Sequence, residues 1–70
     1  MTYELTNEEK TVIVNQHLRS LEYSKYSIQV SLTEENAVAD KNTELISSLN
    51  SQLAILTDKI DALLEELASL

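Results

Sequence analysis

Residues 46–70 read ISSLNSQLAILTDKIDALLEELASL, and large aliphatic residues recur along this stretch at alternating intervals of three and four. This spacing is the heptad repeat of a helix that buries one stripe against another helix. Polar side chains occupy the opposite face. The pattern therefore predicts a helix over the C-terminal half of the chain. Its apolar stripe, called the seam below, consists of Ile46, Leu49, Leu53, Leu56, Ile60, Leu63, Leu67 and Leu70.

The N-terminal half carries a second helical pattern. Thr6 followed by Glu9 has the spacing of a capping box, which predicts a helix that begins at about residue 7. A second interpretation is a strand over residues 26–32, where apolar and polar residues alternate. We favour the helix, because the stripe extends well beyond those residues and a lone strand would have no partner. Lys25 interrupts the seam in this half, which otherwise consists of Val14, Leu18, Leu21, Ile28 and Leu32.

The middle of the chain predicts a turn. No large apolar residue occupies the seam over residues 33–45. Asn and Asp tolerate the left-handed backbone that ends many helices, and Asp40, Asn42 or Thr43 can cap the helix that follows. The expected fold is therefore an all-α, antiparallel helical hairpin that forms a single domain over residues 1–70. Its helices are expected near residues 7–36 and 41–69.

One observation supports a different architecture. The seven-residue repeat keeps the same phase from one half to the other, which a hairpin does not require. The alternative is one long helix in a parallel coiled coil. Three consecutive weak seam positions, Glu35, Ala39 and Asn42, count against a continuous helix, and both architectures stay open at this point.

A second apolar strip lies on the first helix, nearly opposite the seam. It consists of Val12, Tyr23, Tyr26 and Val30, and we call it the outer strip. A helix that is apolar on two sides is usually covered on two sides. Two hairpins would then associate into a four-helix bundle, as a homodimer or homotetramer. The residues expected at self-association surfaces are Val12, Val14, Leu18, Leu21, Tyr23, Tyr26, Ile28, Val30, Leu32, Ile46, Leu49, Leu53, Leu56, Ile60, Leu63 and Leu67.

Composition excludes several classes of function. The 70 residues contain no Cys, Gly or Pro, so the sequence predicts no disulfide framework, thiolate metal site or glycine-rich phosphate loop. Five basic residues against twelve acidic ones give a net charge of −7, which does not suit a nucleic-acid backbone. No apolar run is long enough to span a membrane, and the start Met1-Thr2-Tyr3-Glu4 does not read as a secretory signal.

Candidate chemistry is sparse. His17 is the only histidine and has no second ligand at helical spacing, so we expect no catalytic, cofactor-binding or metal site there. Asp58, Asp61 and Glu65 share one outer face and could hold a hard cation only loosely. A solvated, charged face explains them better. Lys25 is expected to lie along the seam with its ammonium group in water, where it could set the register between helices.

Arg19, Tyr23 and Tyr26 are the best candidates for contact with a different protein. Tyrosine and arginine are enriched among the residues that dominate binding energy at interfaces. The alignment of both tyrosines with Val12 and Val30 favours self-association instead.

Several short runs, spread over most of the chain, carry a resemblance to known proteins. They are residues 5–10 (LTNEEK), His17, 21–23 (LEY), Tyr26, 31–32 (SL), 34–37 (EENA) and 48–52 (SLNSQ). In these runs the sequence resembles short helical proteins encoded by marine cyanophages and found in ocean metagenomes. The resemblance implies a small accessory protein of phage or marine microbial origin in the host cytoplasm. It implies no activity and no site residues.

These observations predict a non-enzymatic, acidic protein with a structural or adaptor role through coiled-coil self-association. We expect it to bind copies of itself, with an unidentified protein as a second candidate partner. We expect no binding to nucleic acid or to a membrane. The alternative is an acidic decoy that blocks a basic host or phage protein by imitating nucleic acid.

Overall fold

The computed structural model of the protein describes residues 4–70, and these residues form two α-helices and no strand. Helix α1 spans Asn7–Ala37, and helix α2 spans Thr43–Ser69. The two helices pack against each other. Residues 1–3, most of the stretch considered above for a secretory signal, lie outside the described residues.

Helix α1 begins where the sequence predicts. The Thr6 side chain accepts a hydrogen bond from the backbone N–H of Glu9, with an N–O distance of 3.1 Å. The Glu9 carboxylate in turn accepts one from the backbone N–H of Thr6, at 3.0 Å. Two backbone donors at the start of the helix are thus satisfied, and the predicted capping box is confirmed. Residues 26–32 lie within α1, so the strand interpretation is wrong.

The connection between the helices spans residues 38–42. Asn42 caps α2, because its side-chain oxygen accepts a hydrogen bond from the backbone N–H of Leu45 at 3.1 Å. The end of α1 differs from the expected left-handed cap. Val38 continues in extended backbone, with φ −84° and ψ 150°, and no residue from 4 to 70 has positive φ. A β-branched residue pays a steric cost in the left-handed region, and extended backbone avoids it.

The ends of the chain show how the helices run. The side-chain amide of Asn7, in the first turn of α1, donates a hydrogen bond to the backbone carbonyl of Leu70 at 3.3 Å. The start of α1 therefore lies beside the end of α2, which is the arrangement of a helical hairpin. The chain turns back on itself at residues 38–42 and does not form one continuous helix.

The hairpin is long and thin. Its Cα atoms extend over 62 × 20 × 14 Å, with a radius of gyration of 16.8 Å. A compact chain of this length has a radius of gyration of about 11 Å. Only one side chain, Ile60, is classed as buried among residues 4–70. Most apolar side chains therefore remain partly in water.

Candidate functional site

The seam lies between the two helices, as the sequence predicts. Ile60 at its centre is 6% exposed, and the other predicted seam residues of both helices are half-buried. Each of these side chains is covered on one side by the facing helix and open at the flanks. In the single hairpin this partial burial comes from the packing of α1 against α2, and the role of the seam in self-association stays a prediction. The half-buried seam residues are Val14, Leu18, Leu21, Ile28, Leu32, Ile46, Leu49, Leu53, Leu56, Leu63, Leu67 and Leu70.

Two ionisable residues also lie in the seam. Lys25 and Glu35 are half-buried there, at positions where neighbouring turns carry aliphatic residues. The long stem of Lys25 can cover apolar surface while its ammonium group stays at the edge of the hairpin. Glu35 lies in the last turns of α1, close to the connection. These two positions weaken the apolar contact along the distal half of α1.

The outer strip is uncovered. Tyr23 is 80% exposed, Tyr26 68%, Val12 56% and Val30 41%. The intervals between them are eleven, three and four residues, each close to a whole number of helical turns, so all four side chains project from the face that points away from α2. The two tyrosines alone leave roughly 300 Å² in water, since an aromatic side chain can bury 150–250 Å². A single hairpin provides nothing to cover this face.

Two further residues fill the gap between Val12 and Tyr23 on the same face and complete a regular row. With Gln16 and Arg19, the row consists of residues 12, 16, 19, 23, 26 and 30, at intervals that alternate between four and three. Both side chains are exposed. Arg19 is the only charged residue of the row. It lies one turn before Tyr23, and contact of Arg19, Tyr23 and Tyr26 with a different protein stays a prediction.

A shallow, open groove of about 420 Å³ lies along one flank of the hairpin. His17, Ser20 and Leu21 line it from α1, and Lys59, Ala62 and Leu63 line it from α2. Its polar groups are an imidazole, a hydroxyl and an ammonium group, and both His17 and Lys59 are exposed. The sequence pattern indicated His17 and Leu63, but it did not place them together and it did not identify Lys59 or Ala62. Which residues of the two helices face each other depends on the geometry of the connection, which no local pattern reveals.

The acidic residues lie in water. Asp58, Asp61 and Glu65 are exposed on α2. Within residues 4–70, no three histidine or carboxylate side chains come together in a group that could hold a metal ion. Hydrogen bonds from the backbone and side chain of Thr6 lower the pKa of Glu9 below its ordinary value.

Neither helix of the described chain is both long enough and apolar enough to cross a bilayer. In comparisons with known proteins, no family model matches this sequence, and no curated protein or solved structure matches it significantly. The resemblance to cyanophage and ocean metagenome proteins stays a prediction from the sequence. The structure defines the class of molecule as a two-helix hairpin with one uncovered apolar face on α1.

Proposed function

We propose that the protein is a small, non-enzymatic structural or adaptor protein that acts by self-association. Two hairpins associate through the outer strip of α1 and form an assembly of four helices. The observation that carries this proposal is the exposure of Tyr23 and Tyr26 on a helix whose opposite face is already covered by α2. A phage origin, a cytoplasmic location and the tetramer stay predictions from the sequence.

The surface area of the single hairpin supports association. The chain exposes 5557 Å². A folded protein of this mass exposes about 4,400 Å². The hairpin therefore leaves an excess of about 1,100 Å² per chain in water, whereas a standard interface buries about 800 Å² per partner. Association of two hairpins would remove surface of the size that a stable homodimer buries.

The chain has few other means of gaining stability. It contains no cysteine for a disulfide, and the described residues form no metal cluster. A chain of 70 residues gains little net stability from a single core, and among residues 4–70 only Ile60 is buried. Burial of the outer strip by a second copy would add the missing apolar contact.

The test removes the two tyrosines and measures the mass of the particle in solution. The double variant Tyr23→Ala, Tyr26→Ala should shift the protein towards the mass of one chain by light scattering and should lower its melting temperature. The control is Ile55→Ala, Leu64→Ala, which removes two apolar side chains on α2 that are about half exposed, at 54% and 49%. A strip variant that keeps both the mass and the melting temperature of the unmodified protein would show that the strip does not mediate self-association.

The acidic decoy stays a second candidate, favoured by the exposed carboxylates of Asp58, Asp61 and Glu65 on the outer face of α2. A decoy would bind a basic protein with an affinity that falls steeply as salt is added. Titration of the protein against a basic protein that normally binds DNA, at two salt concentrations, tests this class. Absence of binding at low salt would remove it.

A further inference from the structure

The row of residues along the outer face of α1 has the same spacing when it is read from either end. The intervals from Val12 to Val30 are four, three, four, three and four. Reversal of the row therefore superimposes every position on another position of the row. It pairs Val12 with Val30, Gln16 with Tyr26, and Arg19 with Tyr23.

This symmetry matters because two identical chains usually associate about a two-fold axis. In such an interface, if residue i of one copy contacts residue j of the other, then j also contacts i. Two copies of α1 that run antiparallel meet this condition when the two-fold axis crosses the outer face of α1 at the level of residue 21, midway between Arg19 and Tyr23. That point lies close to the middle of Asn7–Ala37, so the two helices overlap over nearly their whole length.

Resting on the function proposed above, we propose that α1 packs antiparallel against α1 of a second copy, with Val12 against the partner's Val30 and Arg19 against the partner's Tyr23. The guanidinium group of Arg19 then lies over an aromatic ring, where a cation is attracted to the negative face of the ring. The two-fold axis forms this contact twice. The contact also covers Tyr23, the more exposed of the two tyrosines of the outer strip.

Charge opposes the parallel arrangement. When two copies of α1 lie parallel and in register, each residue of the row faces its own copy. Arg19, the only charged residue of the row, would then face the partner's Arg19 in a partly dehydrated contact. The antiparallel register separates the two arginines by about four residues along the axis, or roughly 6 Å of helix rise, and gives each an aromatic partner.

The position of the strip also determines the shape of the assembly. Because the outer strip lies nearly opposite the seam, α1 receives α2 on one side and the partner's α1 on the other. The four helices then lie side by side in one layer, with the two copies of α2 at its edges. This layer differs from the square cross-section of an ordinary four-helix bundle, the arrangement that the apolar pattern of the sequence predicts.

The two shapes differ in their radius of gyration. Neighbouring helices pack about 9 Å apart, so the centres of the two hairpins are separated by about 18 Å in a layer and by about 9 Å in a square bundle. Starting from 16.8 Å for one hairpin, the dimer has a radius of gyration of about 19 Å in a layer and about 17 Å in a bundle. Small-angle scattering with an absolute mass distinguishes them.

Disulfide trapping tests the register. The chain contains no cysteine, so single variants introduce the only thiols. An oxidised mixture of Val12→Cys and Val30→Cys should form mixed dimers at least about tenfold faster than Val12→Cys forms dimers with itself, because facing Cβ atoms come within disulfide distance only in the mixed pair. Both substitutions lie at exposed positions, and far-UV circular dichroism checks that each variant stays helical.

The outcomes separate the two proposals. Unmodified protein with the mass of one chain over the whole concentration series would overturn both self-association and the register. A dimer in which Val12→Cys bonds mainly to itself would keep self-association and overturn the antiparallel register. A dimer in which neither combination forms a disulfide would show that α1 pairs through another face.

Substitution of Arg19 tests the aromatic contact. Arg19→Gln should weaken the dimer about tenfold in Kd, whereas Arg19→Lys keeps a cation at the same position and should retain most of the affinity. Equal weakening by both substitutions would show that Arg19 does not act through its charge. Retention of full affinity by Arg19→Gln would show that Arg19 and the partner's Tyr23 do not meet.

Discussion

Replacement of Ile60 by alanine is the most direct test of how the hairpin is held together. Ile60 is 6% exposed at the centre of the seam. The change removes three carbon atoms, and each buried methylene-sized group contributes about 0.8 kcal/mol, so the transfer cost alone is about 2.4 kcal/mol. The cavity that remains adds to this value, but the open flanks of a two-helix seam allow it to collapse partly. We expect a loss of about 3 kcal/mol in the free energy of unfolding.

This loss is large for a chain of this size. At 0.05–0.15 kcal/mol per residue, the whole domain has about 3–10 kcal/mol of stability. A loss of about 3 kcal/mol corresponds to a fall in melting temperature of about 15 °C for a domain of 60–100 residues. Urea unfolding followed by far-UV circular dichroism measures it. The measurement is made at several protein concentrations, because dissociation of an oligomer adds to the apparent stability.

Ile55 on the same helix provides the matched control. It is 54% exposed, so Ile55→Ala removes the same three carbon atoms from a site that is half in water. Alanine also favours helix more than isoleucine by a few tenths of a kcal/mol, which offsets part of the loss. We expect a cost below about 1 kcal/mol. If the two substitutions cost the same within about 0.5 kcal/mol, the seam is not the core of the hairpin and the helix packing described above is wrong.

Three further predictions concern the caps and the seam. Asn42→Ala removes the hydrogen bond to Leu45 and should cost about 1 kcal/mol in urea unfolding, while Asn42→Asp should cost much less. The pKa of Glu9 is lower in the folded chain, so its contribution to stability is present at neutral pH and is lost as the pH falls through that lowered pKa. Glu9→Gln should therefore flatten the acid limb of stability against pH, which urea unfolding at a series of pH values measures. Lys25→Leu should raise the free energy of unfolding by about 1 kcal/mol, because leucine buries more apolar surface in the seam. An unchanged or lower value would show that the ammonium group of Lys25, and not only its aliphatic stem, stabilises the hairpin.

The helix starts and the seam could be predicted because local chemistry specifies them. The capping box at Thr6 and Glu9 satisfies two backbone donors within one turn, and the cap at Asn42 acts within three residues. The seam follows from the periodicity of the helix, which is a local property and does not depend on contacts with distant parts of the chain. These features need no knowledge of which parts of the chain meet.

The features that the sequence did not reveal depend on contacts between distant residues. The hydrogen bond from Asn7 to Leu70 joins the two ends of the chain. The groove beside His17 contains Lys59 because the connection places late α2 beside early α1. The continuous phase of the heptad suggested a single helix, since a repeat of seven carries no information about where the chain reverses. The end of α1 at Ala37 also differs from the expected left-handed cap, because the preference of Val38 for extended backbone outweighs the Asn and Asp signals nearby.

The two helices also differ in how clearly they read as amphipathic, and this difference has a structural meaning. In α2 the apolar residues lie on one side of the helix, so α2 is clearly amphipathic. In α1 they lie on two opposite sides, so their contributions to the amphipathic character of the helix largely cancel. A helix with one apolar side belongs at the edge of an assembly, and a helix with two belongs inside. The contrast between α1 and α2 is therefore what the proposed layer requires, with α1 at its centre.

The proposed layer also keeps the negatively charged faces of the two copies apart. A protein with a net charge of −7 repels its own copies, and association must keep the acidic faces apart. Contact through α1 brings together faces whose row contains only one charge, that of Arg19. The two copies of α2, with Asp58, Asp61 and Glu65 on their outer faces, then lie three helix spacings apart, or about 27 Å. Since the screening length in physiological salt is about 8 Å, the acidic faces of such a dimer hardly interact, and its stability should depend only weakly on salt.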